Sequence, residues 1–159
     1  MSTPEQRFKR PESVLVVVYT TNGKVLLLRR ADQPEFWQSV TGSMEWGDEL
    51  PAETAARELR EETGIAVAPG QLTDWKIQQR YEIFPQFRFR YAPDVRENTE
   101  HFFSLELPGE QPICVSPGEH LEYAWLPFDA AMEKVFSWTN RDALRLLRER
   151  AAVGPSVSS

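Results

Sequence analysis

Two apolar runs separated by a short polar segment begin the patterned part of the chain. The runs "SVLVVVYT" at 13–20 and "KVLLLRR" at 24–30 consist mainly of β-branched and aliphatic residues, which are typical of buried strands. Between them, Thr21-Asn22-Gly23 contains the Asn-Gly pair that favours a tight turn. The pattern therefore predicts a β-hairpin whose two strands are well buried.

A helix is predicted over residues 51–63. Pro51 suits the first helical position, because its fixed φ is helical and its missing N–H has no partner there anyway. Good helix formers follow, and Gly64 is the kind of residue that ends a helix in the left-handed conformation. These signals place both ends of the helix.

The two sides of this helix differ in chemistry. At about 100° per residue, its small apolar face consists of Ala52, Ala55, Ala56 and Leu59. The neighbouring flank carries Glu58, Glu61 and Glu62. Small side chains let a helix lie close to a sheet, so the acidic flank is expected to border a cleft at the sheet's edge.

The rest of the chain alternates strand-like and helical patterns. Further strands are predicted near 65–68, 72–83, 99–107 and 121–126, and a capped amphipathic helix at 139–151. Strands on both sides of the first helix and a late second helix predict a mixed sheet covered by helices, which is an α/β domain. A chain of 159 residues with 41% hydrophobic content suits one such domain, over 1–150, and the low-complexity end at 151–159 is expected to be a disordered tail.

Composition narrows the functional classes. A net charge of −6 argues against binding to nucleic acids or anionic membranes, because both depend on basic surfaces. The longest apolar run, 14–19, is far shorter than a membrane span, and the polar N-terminus does not resemble a signal peptide, so we expect a soluble, cytoplasmic protein. The single cysteine, Cys114, excludes an internal disulfide and gives no zinc-site spacing. A small phosphorylated ligand remains compatible if cations are concentrated locally.

The three glutamates have two interpretations. They can form a solvated face, with Arg57 pairing with Glu53 and Glu61 at helical spacing. Alternatively, they can hold a hard divalent cation such as Mg²⁺, which binds carboxylates together with the phosphates of its substrate.

The surrounding sequence resembles the Nudix hydrolase family. Its signature runs from a glycine through a glutamate to Arg-Glu-aliphatic-any-Glu-Glu-any-Gly-aliphatic, and "RELREETGI" at 57–65 matches the second half at every specified position. The first half begins at Gly42 and contains one extra residue, which we place in the loop "GSMEWGDE" so that Glu49 takes the place of the signature's glutamate.

The resemblance implies a Nudix-type α/β/α sandwich that hydrolyses a diphosphate linked to another group. It implies Mg²⁺, or alternatively Mn²⁺, bound by Glu58, Glu62, Glu61 and Glu119. It also implies that Arg57 orients the glutamates. Either a helix glutamate or an acid from "SPGEHLEY" at 116–123 is the base, and we choose Glu119. His101 and His120 are interpreted as structural.

Further segments narrow the resemblance to family members that convert 7,8-dihydroneopterin triphosphate to the monophosphate and pyrophosphate in folate synthesis. The segments are "KRP" at 9–11, "FWQSVTGS" at 36–43, "EIF" at 82–84, "RYAP" at 90–93, "NTE" at 98–100, "EHL" at 119–121 and "SWTNR" at 137–141. This resemblance implies substrate contacts from Lys9, Arg30, Thr41, Tyr81, Glu82, Ile83, Phe84 and Ser137. A small-molecule triphosphate is the expected partner. A purine demands much the same chemistry as a pterin, so a nucleotide-hydrolysing enzyme stays an alternative, as does a non-catalytic phosphate-ligand sensor on the same fold.

Overall fold

The predicted hairpin lies within a seven-stranded sheet in the computed structural model, which describes residues 7–153. The strands are β1 (Glu12–Thr20), β2 (Lys24–Arg30), β3 (Trp37–Gln38), β4 (Val40–Ser43), β5 (Thr73–Glu82), β6 (Glu97–Leu107) and β7 (His120–Pro127). The helices are α1 (Pro51–Thr63), α2 (Phe128–Lys134) and α3 (Trp138–Val153). Two short 3₁₀ helices lie in the connections: Pro69–Gln71 between α1 and β5, and Pro85–Arg90 between β5 and β6.

The sheet is mixed, as predicted. β1 pairs in parallel with β6 and antiparallel with β2 and β4, whereas β5 is antiparallel to β6, and β3 and β7 are antiparallel to β2. β1 changes its antiparallel partner along its length: Tyr19 pairs with Val25 of β2, but residues 13–16 pair with β4. This exchange brings β4, and the loop that follows it into α1, beside the start of β1.

Helices cover both faces of the sheet, which gives the α/β/α sandwich. Alternate residues of β1 point to opposite faces. Val14 and Val16 pack in one cluster with Ala55 and Leu59 of α1. Residues 15 and 17 pack in the other cluster with α2 and α3. β1 is therefore buried on both sides, as its uninterrupted apolar run indicated.

The bounds of α1 agree with the prediction. Gly64 adopts φ 81°, and its N–H donates to the carbonyl of Arg60 at 2.9 Å, which closes the last turn. At the other end, the Glu53 carboxylate accepts from the Leu50 N–H at 2.9 Å. We call residues 42–63 the acidic loop–helix.

The structure differs from the predicted elements in three places. Residues 65–68 form no strand: Ile65 is buried, but its N–H donates to the Thr63 hydroxyl and no neighbouring strand pairs with the segment. The short elements β3, β4 and α2 were not predicted. The last helix continues to Val153, so the start of the expected tail is helical, and residues 154–159 lie outside the described part.

None of the helices within residues 7–153 combines the length and the apolar character that crossing a membrane requires.

Candidate active site

A cavity of about 630 Å³ lies where β4, the end of β5 and the start of α3 approach α1. Ten of the side chains predicted for catalysis or binding line it: Lys9, Arg30, Thr41, Glu58, Glu62, Tyr81, Ile83, Phe84, Glu119 and Ser137. The other three, Arg57, Glu61 and Glu82, lie outside its lining. The fold thus brings most of the predicted site together from distant parts of the sequence.

Glu58 and Glu62 form a buried pair of carboxyl groups on α1. Their exposed fractions are 9% and 3%, so the interpretation of a solvated face is wrong for both. Gly42 on β4 makes the close approach of Glu58 possible. A Cβ built on Gly42 would lie 2.1 Å from the carboxyl carbon of Glu58, so any other residue at that position would force the Glu58 side chain to move.

The chemistry of this pair fits a divalent cation. Burial raises the pKa of Glu58, and burial together with the charges of Glu58 and Glu119 raises the pKa of Glu62 well above its ordinary value. Oε1 of Glu62 is buried without a hydrogen-bond partner. A cation with a preference for oxygen ligands would satisfy this oxygen and offset the negative charge of both groups.

The four predicted metal ligands do not converge on one point. Within residues 7–153, no group of three or more His, Cys, Asp or Glu side chains is arranged to hold a metal ion. Glu61 lies beside Arg57, with a half-exposed side chain, and Glu119 lies on an exposed turn. The inner pair, Glu58 and Glu62, is therefore the only part of the predicted ligand set that is brought together and buried.

Arg57 connects the carboxylates of the acidic loop–helix. Its Nε and Nη2 donate to both oxygens of Glu49 at 2.8 and 3.0 Å, and its Nη1 donates to Glu58 at 2.8 Å. Nη1 also lies 3.4 Å from Glu61, and Nη2 donates to the carbonyl of Ser43 on β4 at 3.1 Å. Arg57 thus positions Glu58 and joins α1 to the sheet without reaching the cavity.

Glu49 is the counter-ion that Arg57 binds with two hydrogen bonds. These bonds hold the pKa of Glu49 at about 2, and further hydrogen bonds come from the Glu45 N–H and the Thr54 hydroxyl. The loop before it contains Gly47 at φ 104°, a conformation that favours glycine. This geometry supports the alignment in which the extra residue lies in the loop and Glu49 takes the place of the signature's glutamate.

The turn before β7 brings an acid and a histidine to the cavity. Glu119 lines the cavity from this turn, and its charge contributes to the raised pKa of Glu62. His120 is buried, and its Nε2 lies 3.9 Å from Oε1 of Glu62. Burial, with a smaller effect from Arg30, lowers the pKa of His120 to about 4, so the imidazole is neutral. His120 belongs to the cavity lining, which its interpretation as a structural residue did not anticipate.

Three cations lie on one side of the cavity. Arg30 donates twice to Asp32 at 2.7 Å, and Arg90 donates to the same carboxylate at 2.8 Å. Lys9 is exposed at the cavity, and partial desolvation together with the charges of Arg90 and Arg30 lowers its pKa. Arg90 was not among the predicted contacts, because it lies in the 3₁₀ helix Pro85–Arg90, whose place against β2 is set by tertiary contacts.

An aromatic pocket, formed by Tyr81, Ile83, Phe84, Phe87 and Phe136, lines another part of the cavity. Phe84 meets the Phe136 ring edge-on, with 5.4 Å between the ring centroids. Glu82 does not belong to the pocket. Its side chain is exposed, because successive residues of a strand point to opposite faces and Tyr81 occupies the inward position. The contact from Glu82 stays a prediction, which the position of its side chain does not support.

Ser137 lies at the start of α3, where its hydroxyl accepts a hydrogen bond from the Asn140 N–H at 3.0 Å. This is the geometry of a helix N-cap, so Ser137 supports α3 as well as lining the cavity. The Thr41 hydroxyl makes a structural hydrogen bond between β4 and β1, because it donates to the carbonyl of Val14 at 2.9 Å.

Glu100 on β6 also lines the cavity, although it was not predicted as a site residue. It is 6% exposed, and burial raises its pKa to about 7. A sequence signal existed: Glu100 shares its strand face with Phe102 and Ser104, in a strand with apolar residues on both faces.

A model of the NUDIX domain matches residues 9–147, and the chain therefore belongs to the Nudix hydrolase family. Members of this family generally use a divalent metal ion and act on small phosphate-containing molecules.

Similar proteins come from several bacteria. The chain is 49% identical over 140 residues to the dihydroneopterin triphosphate diphosphatase of Escherichia coli K12, an alignment that covers 86% of this chain and 91% of that protein. It is 41% identical to the protein of the same name from Haemophilus influenzae, over 87% of this chain and 88% of that one. The solved structure of the E. coli dihydroneopterin triphosphate pyrophosphohydrolase superposes with a TM-score of 0.81 and 47% identity, covering 87% of this chain and 95% of that one.

Proposed function

We propose that this protein is a Mg²⁺-dependent pyrophosphohydrolase that converts 7,8-dihydroneopterin triphosphate to dihydroneopterin monophosphate and pyrophosphate. The observation that supports this most directly is the composition of the cavity. One space contains a buried carboxylate pair, five Lys and Arg side chains and an aromatic pocket, which match a metal ion, a polyphosphate and a flat heterocycle. The relatives at 49% and 41% identity are named for the same substrate.

Each part of the cavity has a task in this reaction. Glu58 and Glu62 would hold Mg²⁺, which neutralises charge on the phosphate oxygens and lowers the pKa of water. Glu61 and Glu119, which do not converge with this pair in the structure, are the further ligands in this proposal. Arg57 holds the Glu58 carboxylate in position by its hydrogen bond. Lys9 and Arg30 offer positive charge to the phosphate oxygens.

The heterocycle binds at the other end of the cavity in this proposal. Its faces contact Tyr81, Ile83 and Phe84, whose flat and apolar surfaces suit a fused ring. Thr41 and Ser137 line the space between the ring and the phosphates.

Hydrolysis adds water across one phosphoanhydride bond. The water oxygen bonds to one of the two phosphorus atoms joined by the bridging oxygen that is cleaved, the bond from that phosphorus to the bridging oxygen breaks, and the product on the other side of that oxygen leaves with the electron pair. The proton of the attacking water passes to a carboxylate. We assign this role to Glu119, because it lines the cavity near Glu62 on an exposed turn and takes no part in the Arg57 network.

Steady-state hydrolysis across a small panel of substrates tests the proposal. Pyrophosphate release from 7,8-dihydroneopterin triphosphate, GTP and dATP is measured with and without Mg²⁺. We expect kcat/KM for the pterin to exceed that for either purine at least about tenfold, which corresponds to ~1.4 kcal/mol of transition-state binding. Activity should disappear when the metal is chelated.

Two results would contradict the proposal. Equal or better turnover of the purines would identify a nucleotide hydrolase, and no turnover of any triphosphate would favour a phosphate-ligand sensor. The cytoplasmic location stays a prediction, which fractionation of cells tests.

A further inference from the structure

Glu100 lies apart from the carboxylates of the acidic loop–helix. It shares a face of β6 with Phe102, which packs in the cluster formed with α2 and α3, whereas α1 covers the opposite face. Across the sheet it is in register with Ser13 of β1, which also lines the cavity. Glu100 therefore supplies a carboxyl group to the α3 side of the cavity.

No cation compensates Glu100 in the part of the chain that the structure describes. It forms no ion pair there, and its direct partner is the Thr139 side chain, from which it accepts a hydrogen bond. The nearby titratable groups are the phenols of Tyr81 and Tyr91, which burial keeps neutral. A buried carboxylate without a counter-ion is unfavourable unless other donors satisfy it.

One structural role is already visible, because Thr139 belongs to the first turn of α3. A carboxylate near a helix N-terminus is favourable, so Glu100 contributes to holding α3 against the sheet. However, a carboxylate has about four acceptor sites, and the hydrogen bond with Thr139 uses one of them. Acceptor capacity therefore remains on the side of the cavity that Tyr81 also lines.

We propose that Glu100 selects the heterocycle by accepting hydrogen bonds from two adjacent donors on its edge, a ring N–H and an exocyclic amino group. This inference rests on the proposed function for the identity of the substrate as a pterin. Pterin and guanine rings both carry this donor pair. Adenine does not, because the ring nitrogens next to its amino group are acceptors. Glu100 would thus take the role that the sequence had suggested for Glu82.

The isosteric variant Glu100→Gln tests this role, because it keeps the shape and the acceptor for Thr139 but loses the second acceptor and the charge. Values of kcat/KM are measured for 7,8-dihydroneopterin triphosphate, GTP and ATP. We expect a loss of about 10- to 100-fold for the pterin and for GTP, the range for a hydrogen bond to a charged group. For ATP we expect a change of less than about threefold. The matched control is Glu97→Gln, an exposed position on the same strand that should leave all three values unchanged.

A change in the ligand provides a second test of the same role, beginning with the wild-type protein. ITP differs from GTP by the missing amino group, so the wild-type protein should prefer GTP over ITP by about tenfold, and Glu100→Gln should reduce that preference. Where turnover of these nucleotides is too slow, guanosine and inosine monophosphates are compared as competitive inhibitors.

Several outcomes would overturn the inference. An equal loss on all three substrates, together with a lower unfolding temperature, would restrict Glu100 to supporting α3. Equal kcat/KM values for GTP and ITP in the wild type would show that no residue recognises the amino group. Failure of the wild type on the pterin would refute the proposed function, whereas a preference for guanine that depends on Glu100 would still support the inference about the donor edge.

Discussion

The acidic loop–helix and the aromatic pocket serve the same cavity, but their charges are organised in opposite ways. In the acidic loop–helix, one guanidinium, that of Arg57, contacts the carboxylates of Glu49, Glu58 and Glu61. Beside the aromatic pocket, Glu100 forms no ion pair with any described residue. In the first region Arg57 binds several carboxylates but not Glu62, whereas the second contains a carboxyl group with acceptor capacity to spare.

This difference indicates what each region requires from outside the protein. The unpartnered oxygen of Glu62 lies against a second carboxyl group, so a cation satisfies it best. Glu100 is distant in sequence from any other acid of the cavity and lies beside aromatic rings, so neutral N–H donors satisfy it best. Metal binding and ring selection are therefore separable, and each can be removed without the other.

The largest expected effect is the loss of the metal site in Glu62→Gln. An amide cannot replace the charged oxygen ligand, and kcat/KM for the pterin triphosphate should fall on the order of 10³-fold, since a catalytic metal supplies several kcal/mol. The variant should remain folded, because the substitution removes a buried ionisable group. Pyrophosphate release and thermal unfolding without metal are the measurements.

A matched control for this variant is Glu149→Gln on the exposed side of α3, which should leave both quantities unchanged. Full activity of Glu62→Gln would remove Glu62 from the metal site. It would also contradict the assignment of cation binding to the acidic loop–helix and of N–H donor binding to the side of the aromatic pocket.

The next largest effect is expected for Gly42→Ala. The new Cβ would lie 2.1 Å from the carboxyl carbon of Glu58, so the carboxylate must move away from Glu62. We expect kcat/KM to fall about 100-fold and the free energy of unfolding to fall by about 1–3 kcal/mol, the usual range for overpacking. Urea unfolding and steady-state kinetics measure the two effects.

Gly70→Ala provides the comparison, because a Cβ at that position meets no heavy atom within 4 Å. Equal activity of Gly42→Ala and Gly70→Ala would show that Glu58 functions without its close approach to β4.

Much of the acidic loop–helix was predictable because its geometry is local. Helical periodicity alone places Glu58 and Glu62 on one flank, and Pro51 and Gly64 mark the ends of the helix. The helix pattern alone did not predict which glutamates would be buried. That depends on Gly42, which becomes a neighbour only when β4 pairs with β1.

The aromatic pocket was predicted less well because it is assembled from separate elements. Its residues come from β5, from the two residues that follow it, from the 3₁₀ helix Pro85–Arg90 and from the segment before α3, and their meeting depends on the sheet topology. The resemblance identified Tyr81 and Phe84 but also included Glu82, because a continuous segment does not distinguish the two faces of a strand. Arg90 and Glu100 were missed because their places beside the cavity also depend on how separate elements meet.

A smaller effect is expected in the pH dependence of stability. Glu100 loses its proton near pH 4.5 in an unfolded chain but near pH 7 in the folded protein. Between these values the folded state binds more protons, so the free energy of unfolding should fall as the pH rises through this window. Relative to Glu100→Gln, the wild type should lose up to about 3 kcal/mol between pH 4.5 and 7.5 and nothing further above pH 8.

Urea unfolding of both proteins over this pH range measures the difference, in which the titration of Glu58 and Glu62 cancels. A constant difference would mean that the folded protein already supplies Glu100 with enough donors. The comparison between the two regions would then fail on the side of the aromatic pocket.

The smallest effect, on either activity or stability, is expected for Glu82→Gln. Glu82 is exposed at the end of β5 and in register with Glu97, another acid, so its removal relieves a like-charge pair worth at most a few tenths of a kcal/mol. We expect kcat/KM for the pterin triphosphate to change less than about twofold, because less than ~0.5 kcal/mol of transition-state binding is involved. A loss as large as that expected for Glu100→Gln would place the selective carboxylate on β5, and the ring would then lie against the opposite side of the segment from the aromatic pocket.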